Sequence, residues 1–313
     1  MIHHSIKYYI KQCSEKKGFA FVRKLVHGLL SECVGYGYEI LCKLHICKPK
    51  IIVMIDGGIC SQMHQYLIGQ QFNHQGVTIE YDLSWFESRG VDVDGKFSRD
   101  YELEKMFPNL EVNKSNKFTT WFYSVFLDYI ERDFSSTNAY RYAPIYLGGY
   151  YDMDDHVFSQ LFNEIFCYRK HPDVPMVLKS SENQMRCAIH VRRGDLASGD
   201  NPWYGGVSEG YFYEAIDTVE KMYPSTKYYF FSDEMDYVAN NIAPNLKVEY
   251  ELIYGPHKAY EDLLLISQCD IIVASQGSFG KYAAMLNTNS ILILENNKYS
   301  EPWLKRKAKT ILI

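Results

Sequence analysis

Long hydrophobic runs are missing from this 313-residue chain. Its clean apolar stretches, such as Ile51 to Ile55, are strand-sized, whereas a bilayer crossing needs roughly 20 apolar residues. The amino terminus has no uninterrupted apolar segment of the signal-peptide kind, so secretion is not expected. Excess positive charge is missing too: 33 Lys and Arg stand against 38 Asp and Glu, a net charge of -5. That excludes a nucleic-acid binder that coats phosphates with a basic face. Eight cysteines are present (Cys13, Cys33, Cys42, Cys47, Cys60, Cys167, Cys187 and Cys269), but no Cys-x-x-Cys pair occurs among them. Cys187 and Cys269 sit in or beside apolar runs, where a reduced cysteine behaves as a small hydrophobe. A cytoplasmic protein with free thiols is therefore expected.

Metal-binding patterns are equally sparse. Cys42, His45 and Cys47 lack the usual zinc spacings, and the ten histidines include no His-Glu-x-x-His. Asp92-Val93-Asp94 and Asp152-Met153-Asp154 match a short acidic pattern that arises readily by chance. The first also lacks the later ligands of an EF-hand. No metal and no cofactor is expected.

What is present is ample apolar material, 47% of the residues, enough for real cores at a length that suggests two α/β lobes. Residues 1–50 stand apart as a basic helical extension, with nine Lys and Arg against three Glu. Ile6, Tyr9, Ile10 and Cys13, then Phe21, Val22, Leu25, Val26, Leu29 and Leu30, recur at helical spacing. Such stripes ordinarily pack on a protein body. A basic amphipathic segment over residues 1–30 also suits peripheral contact with an anionic membrane.

From residue 51 strands and helices alternate. Ile51–Ile55 predicts a buried strand ending in Asp56-Gly57-Gly58, with a helix over 62–72 and a strand over 77–81. Helices are expected near 102–107, 121–133 and 154–167, and a strand over 145–151. The polar segment 170–183 is the linker candidate, dividing a lobe at 51–175 from one at 176–313. In the second lobe, strands are expected at 187–191, 228–231, 247–250, 271–274 and 291–294. Helices between them are expected at 210–222, 234–241, 259–267 and 279–286. Repeated βα units imply parallel sheets, with ligands beyond the carboxyl ends of the strands.

The sharpest chemical signal is Ala188-Ile189-His190-Val191-Arg192-Arg193-Gly194-Asp195. An apolar strand runs directly into two arginines, whose planar forks suit a diphosphate. Alternation sends them to different sides, so one can clamp a ligand while the other pairs with an acid. A purely structural Arg–Asp pair at a strand exit is the competing explanation. Asp233, in Phe231-Ser232-Asp233-Glu234, can accept from a nucleoside or cap the next helix. Residues 274–280 lead into a helix whose first amides, near Ser278 and Phe279, can bind phosphate. At the first strand, Gly57 and Gly58 suit a tight turn, and Gln62 and Gln65 are available to sugar hydroxyls.

These loops, in this order, resemble the bacterial α-1,2-fucosyltransferase family. Its H-x-R-R-x-D motif matches His190, Arg192, Arg193 and Asp195. Gly57-Gly58-Ile59-Cys60-Ser61-Gln62-Met63-His64-Gln65-Tyr66 is similar to its early glycine motif. Gln276-Gly277-Ser278-Phe279-Gly280-Lys281-Tyr282-Ala283-Ala284 is similar to its late motif. Cys60, Ser61 and His64 replace Gly, Asn and Phe, and Gly280, Lys281 and Tyr282 replace Ser-Trp-Trp, at positions expected in substrate loops.

The resemblance implies a GT-B-like fold of two Rossmann-type lobes with an interlobe cleft. It implies GDP-fucose as donor, a glycan acceptor that can be lipid-linked, and metal-free inversion. Arg192 would then stabilise the leaving phosphate, with His190, Arg193, Asp233, Ser278 and Phe279 binding the donor. Asp195 or Asp200 would serve as general base, and Gly57, Gly58, Gln62 and Gln65 would lie on the acceptor side. Another fucosyl linkage, another nucleotide sugar, or a non-catalytic carbohydrate-binding protein are the alternatives.

Overall fold

The computed structural model describes residues 19–73, 77–91, 98–128, 143–149, 151–167, 172, 174, 176, 178–194, 208–255, 257–297 and 299–313, with the side chains of 19–27 left aside. The chain is α/β and divides into two compact units. The first runs through Gly57 and takes in Ser61–Tyr101 and Glu111–Asp154; the second takes Gly58–Cys60, Glu102–Leu110 and Asp155–Ile313. Each unit carries one parallel sheet, which is the organisation the GT-B-like resemblance implies.

The first unit opens with helix α1 (Phe19–Lys43), followed by strand β1 (Lys50–Met54), helix α2 (Ile59–Gln70) and strand β2 (Thr78–Asp82). Helices α3 (Ser84–Ser88), α4 (Leu103–Met106) and α5 (Lys117–Phe126) precede strand β3 (Ile145–Leu147). Its three strands lie in the order β2-β1-β3. Ile51, Ile52 and Val53 are wholly buried at the centre, as a continuous β-branched run in a sheet covered on both faces should be.

The second unit contains helix α6 (Asp155–Phe162), extended by a π-helical turn (Asn163–Cys167), then β4 (Arg186–Val191), α7 (Glu209–Met222) and β5 (Lys227–Ser232). A short helical turn α8 (Met235–Tyr237), β6 (Tyr250–Leu252), α9 (Ala259–Ser267), β7 (Ile271–Ala274), α10 (Phe279–Leu286) and β8 (Ile291–Leu294) follow. Helix α11 (Glu301–Arg306) and a further strand β9 (Thr310–Leu312) end the chain. The unit opens at Asp155, ahead of the 170–183 segment. Arg306 Nε holds Asp155 Oδ1 at 2.6 Å, and Phe158 packs on Trp303 and Tyr282, so α6 belongs with the C-terminal helices.

The second sheet has six parallel strands in the order β6-β5-β4-β7-β8-β9. β4 is central: His190 stands opposite Phe231 on one side and Ala274 on the other. Cys187, Ile189 and Val191 point into a core shared with Val219, Phe230 and Val273. Strand order reverses at β4, because β5 and β6 build outward one way while β7, β8 and β9 build the other. That reversal is a topological switch point, where open parallel sheets leave a crevice beyond the strand ends.

Two expectations about the second sheet need correction. The sheet does not close at β8, since β9 adds to its edge through a Leu292–Thr310 register. The strand expected at 247–250 lies at Tyr250–Leu252, as the alternating Val248, Tyr250 and Leu252 of an edge strand fit more than one register. The seven described cysteines are free thiols. Burial raises Cys187 well above the usual thiol value and pushes Cys269 up to about 12.

Candidate functional site

At the switch point, β4 ends in Arg192 and Arg193. The neighbouring strand tips hold them by short bonds. Ser275, just past β7, donates its amide to the His190 carbonyl at 3.1 Å and accepts from the Arg192 amide through Oγ at 2.9 Å. Ser232, at the tip of β5, donates its hydroxyl to the Val191 carbonyl at 2.8 Å and accepts from the Glu234 amide at 3.0 Å. Two serines thus bolt the three strand tips together, with backbone directions set before any ligand arrives.

The arginines take different partners. Arg192 donates from Nη1 to Asp233 Oδ2 at 2.5 Å, while Asp233 Oδ1 accepts from the Arg193 amide at 2.9 Å. Arg193 donates from Nε to Glu234 Oε2 at 3.1 Å, and its guanidinium carbon lies 3.3 Å from the centre of the Tyr237 ring. The Tyr237 hydroxyl in turn donates to Glu209 at the start of α7. Both arginines are therefore paired with acids. Arg193 has a stacked platform besides, which fixes its plane.

His190 is buried, with 6% of its surface exposed, and its ring stacks on Phe279 with centroids 5.1 Å apart. Burial, and then the Arg192 cation, push its pKa down to about 3, so the imidazole is neutral. Its Nδ1 is buried with no hydrogen-bond partner among the described residues. The stack depends on Gly280: a Cβ there would lie 2.7 Å from Ala274 Cβ and 3.3 Å from His190 Cβ. Gly277, with φ of 91°, turns the chain from β7 into α10. Ser278 is the cap residue and Phe279 the first residue of that helix, the position at which helix amides are unpaired and able to meet an anion. Gln276 is held by Glu295, from Nε2 to Oε2 at 3.2 Å.

Asp195 and Asp200 lie outside the described residues, as does Asp92-Val93-Asp94. Asp152 and Asp154 are both exposed and flank a buried Met153. Among the described residues no three His, Cys, Asp or Glu side chains gather as metal ligands, the Cys42, His45 and Cys47 set included.

In the first unit, Gly57 has φ of 68° and makes the tight turn expected at the end of β1. Gln62 and Gln65 are fully buried, and their amides brace that turn. Gln62 Nε2 donates to the carbonyls of Gly57 and Asp100 at 3.0 and 2.9 Å. Gln65 exchanges two bonds with Asp56, accepting from its amide at 2.8 Å and donating to its carboxylate at 2.7 Å. These glutamines shape the loop that carries Gly57 and Gly58.

Five of the six residues that depart from the resembled motifs are core residues, and Ser61 is half-buried. Cys60, His64, Gly280, Lys281 and Tyr282 are all buried. His64 Nε2 bonds the Tyr151 carbonyl at 2.7 Å, and Tyr282 packs edge-on against Phe158 and Phe162. The expectation that these positions line substrate loops is overturned by their burial.

A separate cavity of about 420 Å³, lined by Asp270, Asn287, Asn289 and Lys309, opens at the amino ends of β7 and β8. It is the wrong end of a parallel sheet for the chemistry expected here.

Residues 100–312 match the family model described as Glycosyl transferase family 11. The chain belongs to that family. No curated protein sequence matches it. Among solved structures it is similar to the E. coli ADP-heptose lps heptosyltransferase II, at 12% identity over 84% of this chain and 90% of that chain, with a TM-score of 0.44. It is also similar to POFUT1 in complex with GDP, at 10% identity over 79% and 98% of the two chains, with a TM-score of 0.40. A glycosyl transferase family 9 protein from Veillonella parvula matches at 10% identity over 85% of each chain, with a TM-score of 0.42.

For this family 11 glycosyltransferase, Ser275, Glu234, Tyr237 and Glu209 are site-building residues that sequence reasoning did not single out. Ser275 and Glu234 directly adjoin loop residues that it did single out. Nothing in the sequence links Tyr237 or Glu209 to Arg193. Removing the ring by Tyr237→Ala is expected to lower kcat/KM about tenfold, the scale of one well-placed cation–π contact. Tyr237→Phe keeps the ring and loses only the Glu209 bond, so it should retain most activity. Steady-state rates for the two variants, compared side by side, check this.

Proposed function

We propose that this glycosyltransferase transfers L-fucose from GDP-fucose, with inversion, to a glycan hydroxyl, forming an α-1,2 linkage to a galactoside. The observation that carries this reading is the pair of arginines at the tip of β4, at the strand-order reversal, with Arg192 braced by Ser275 and facing Asp233.

As the acceptor hydroxyl attacks the anomeric carbon, the bond to the β-phosphate breaks and negative charge builds on GDP. Arg192 supplies a fixed positive charge there, and the first amides of α10 add a second set of donors. In this proposal the diphosphate takes the place of Asp233 on the Arg192 fork. Asp233 is then free to accept from guanine N–H groups or ribose hydroxyls. Neutral His190 adds a polar contact through Nδ1 without adding charge. Charge compensation by arginine makes a divalent ion unnecessary, so transfer should continue in EDTA. Asp195 or Asp200 takes the acceptor proton.

A thermal-shift series with GDP, UDP, ADP and CMP tests the donor. At a ligand concentration about 100 times Kd, GDP should add about 2.7 kcal/mol to stability and raise Tm, while the others give little. A shift with UDP and none with GDP overturns the donor assignment. Solving the product linkage on a panel of galactosides tests the α-1,2 assignment.

A further inference from the structure

Helix α1 packs with its less apolar face inward. The side facing α5 is made of small or polar residues. Ser31 donates to the Val125 carbonyl at 3.3 Å. Gly35 sits so close that a Cβ would lie 3.0 Å from the Phe126 carbonyl oxygen. Tyr38 meets Phe122 and Tyr123 edge-on at 5.7 and 5.9 Å. The opposite side carries Leu29, Leu30, Tyr36, Ile40 and Leu41, with Leu44 in the turn just past the helix end, all exposed, Leu30 by 56% and Leu44 by 63%. Leu29 and Leu30 had been expected to pack on the protein body. A water-soluble helix normally shows the reverse arrangement. Scattered exposed leucines need no explanation, but a continuous apolar face over four turns of one helix does.

We propose that this face of α1 docks on an anionic lipid bilayer, lying in the boundary between headgroups and acyl chains. Three observations select that occupant. The first fifty residues carry nine Lys and Arg against three Glu within a chain of net charge -5. Along the sequence six of these cations precede Leu29 and three follow Leu41, so positive charge flanks the apolar segment, as surface-lying helices require. No described helix is long and apolar enough to cross a membrane, so α1 would lie along the surface. Helix α5, against which α1 leans, exposes Phe118 by 71% and Trp121 by 53%, residue types found on the buried face of surface-lying helices. A second copy of the chain is a poorer occupant, because pairing two α1 faces brings two basic segments together. The proposal is independent of the donor assignment.

Vesicle flotation tests it with the full chain and its triple variant Leu30→Ser, Ile40→Ser, Leu44→Ser. These three side chains point away from α5, so circular dichroism and Tm should match the parent. The parent is expected to float with vesicles of phosphatidylcholine carrying about a third phosphatidylglycerol, and far less with phosphatidylcholine alone. The triple variant should bind the anionic vesicles at least about tenfold more weakly.

Four results would overturn the proposal. The parent stays in solution with anionic vesicles, or the variant floats as well as the parent. Alternatively, light scattering finds a parent dimer that the variant dissociates, which assigns the face to a second copy. Flotation that appears only after residues 1–18 are deleted would also overturn it, assigning the face to the chain's own amino terminus.

Discussion

Arg192→Ala is expected to lower kcat/KM by about a hundredfold or more, the scale seen when a donor aimed at developing charge is removed. The side chain is placed for that role by bonds that do not involve its own guanidinium. Its amide is held by Ser275, and its strand is flanked by β5 and β7. Truncation therefore deletes the charge while the backbone stays in register. Arg192→Lys keeps one positive charge but loses the planar fork, so it should recover little of the rate. Initial rates of GDP release, with circular dichroism to confirm folding, read the result. Undiminished turnover in Arg192→Ala would remove this residue from the mechanism.

Lys281→Met should stabilise the protein, by on the order of 2 kcal/mol. Lys281 is 6% exposed, and its ammonium lies 5.6 Å from the Trp303 ring centre. Its charged neighbour is Arg306, another cation, which already takes Asp155 as partner. Burial, and then Arg306, push the lysine down to about 8. The pH dependence follows with a definite sign. A lysine whose folded value is depressed binds fewer protons folded than unfolded between about pH 8 and the ordinary lysine value near 10.4. Stability therefore rises with pH across that window as the buried charge is lost. Below it, the full penalty is present.

The methionine variant should have a higher Tm at neutral pH and a flatter profile above pH 8. Some slope will remain, because Lys307 is also pushed down to about 8, chiefly by burial. Melting curves of both proteins at neutral pH and near pH 9.5 decide the matter. A lower Tm in the variant would mean that the ammonium's stacking on Trp303 outweighs its desolvation.

The sequence made the second sheet easy to foresee where its strands are buried on both faces. Ile189, Phe230, Val273 and Ile293 lie in continuous apolar runs, and helices α9 and α10 were expected at their observed bounds. It said less at the sheet edges. β9 has only Thr310, Ile311 and Leu312 after a stretch of lysines, too short for its pattern to stand out. β6 alternates polar and apolar residues and slid by two positions or more.

The loops at the candidate site were legible because each follows a buried strand. Their pairings were not. Arg193 meets Glu234 and Tyr237 through packing between β4 and α8, and no spacing rule predicts a contact of that kind. Gln62 and Gln65 illustrate the opposite difficulty. An amide next to a glycine turn looks free to bind sugar, and only burial shows that it braces the turn instead.

Placing β4 in the middle of an all-parallel sheet affects how the enzyme comes into being. Its partner Ile271 arrives more than eighty residues after Cys187, and parallel pairing over such distances is slow to assemble. A growing polypeptide that ends at β6 already contains both arginines and Asp233. It still lacks Ser275, the hydroxyl that fixes the backbone of Arg192. The anion grip is thus completed late, once the distal half of the sheet has been added.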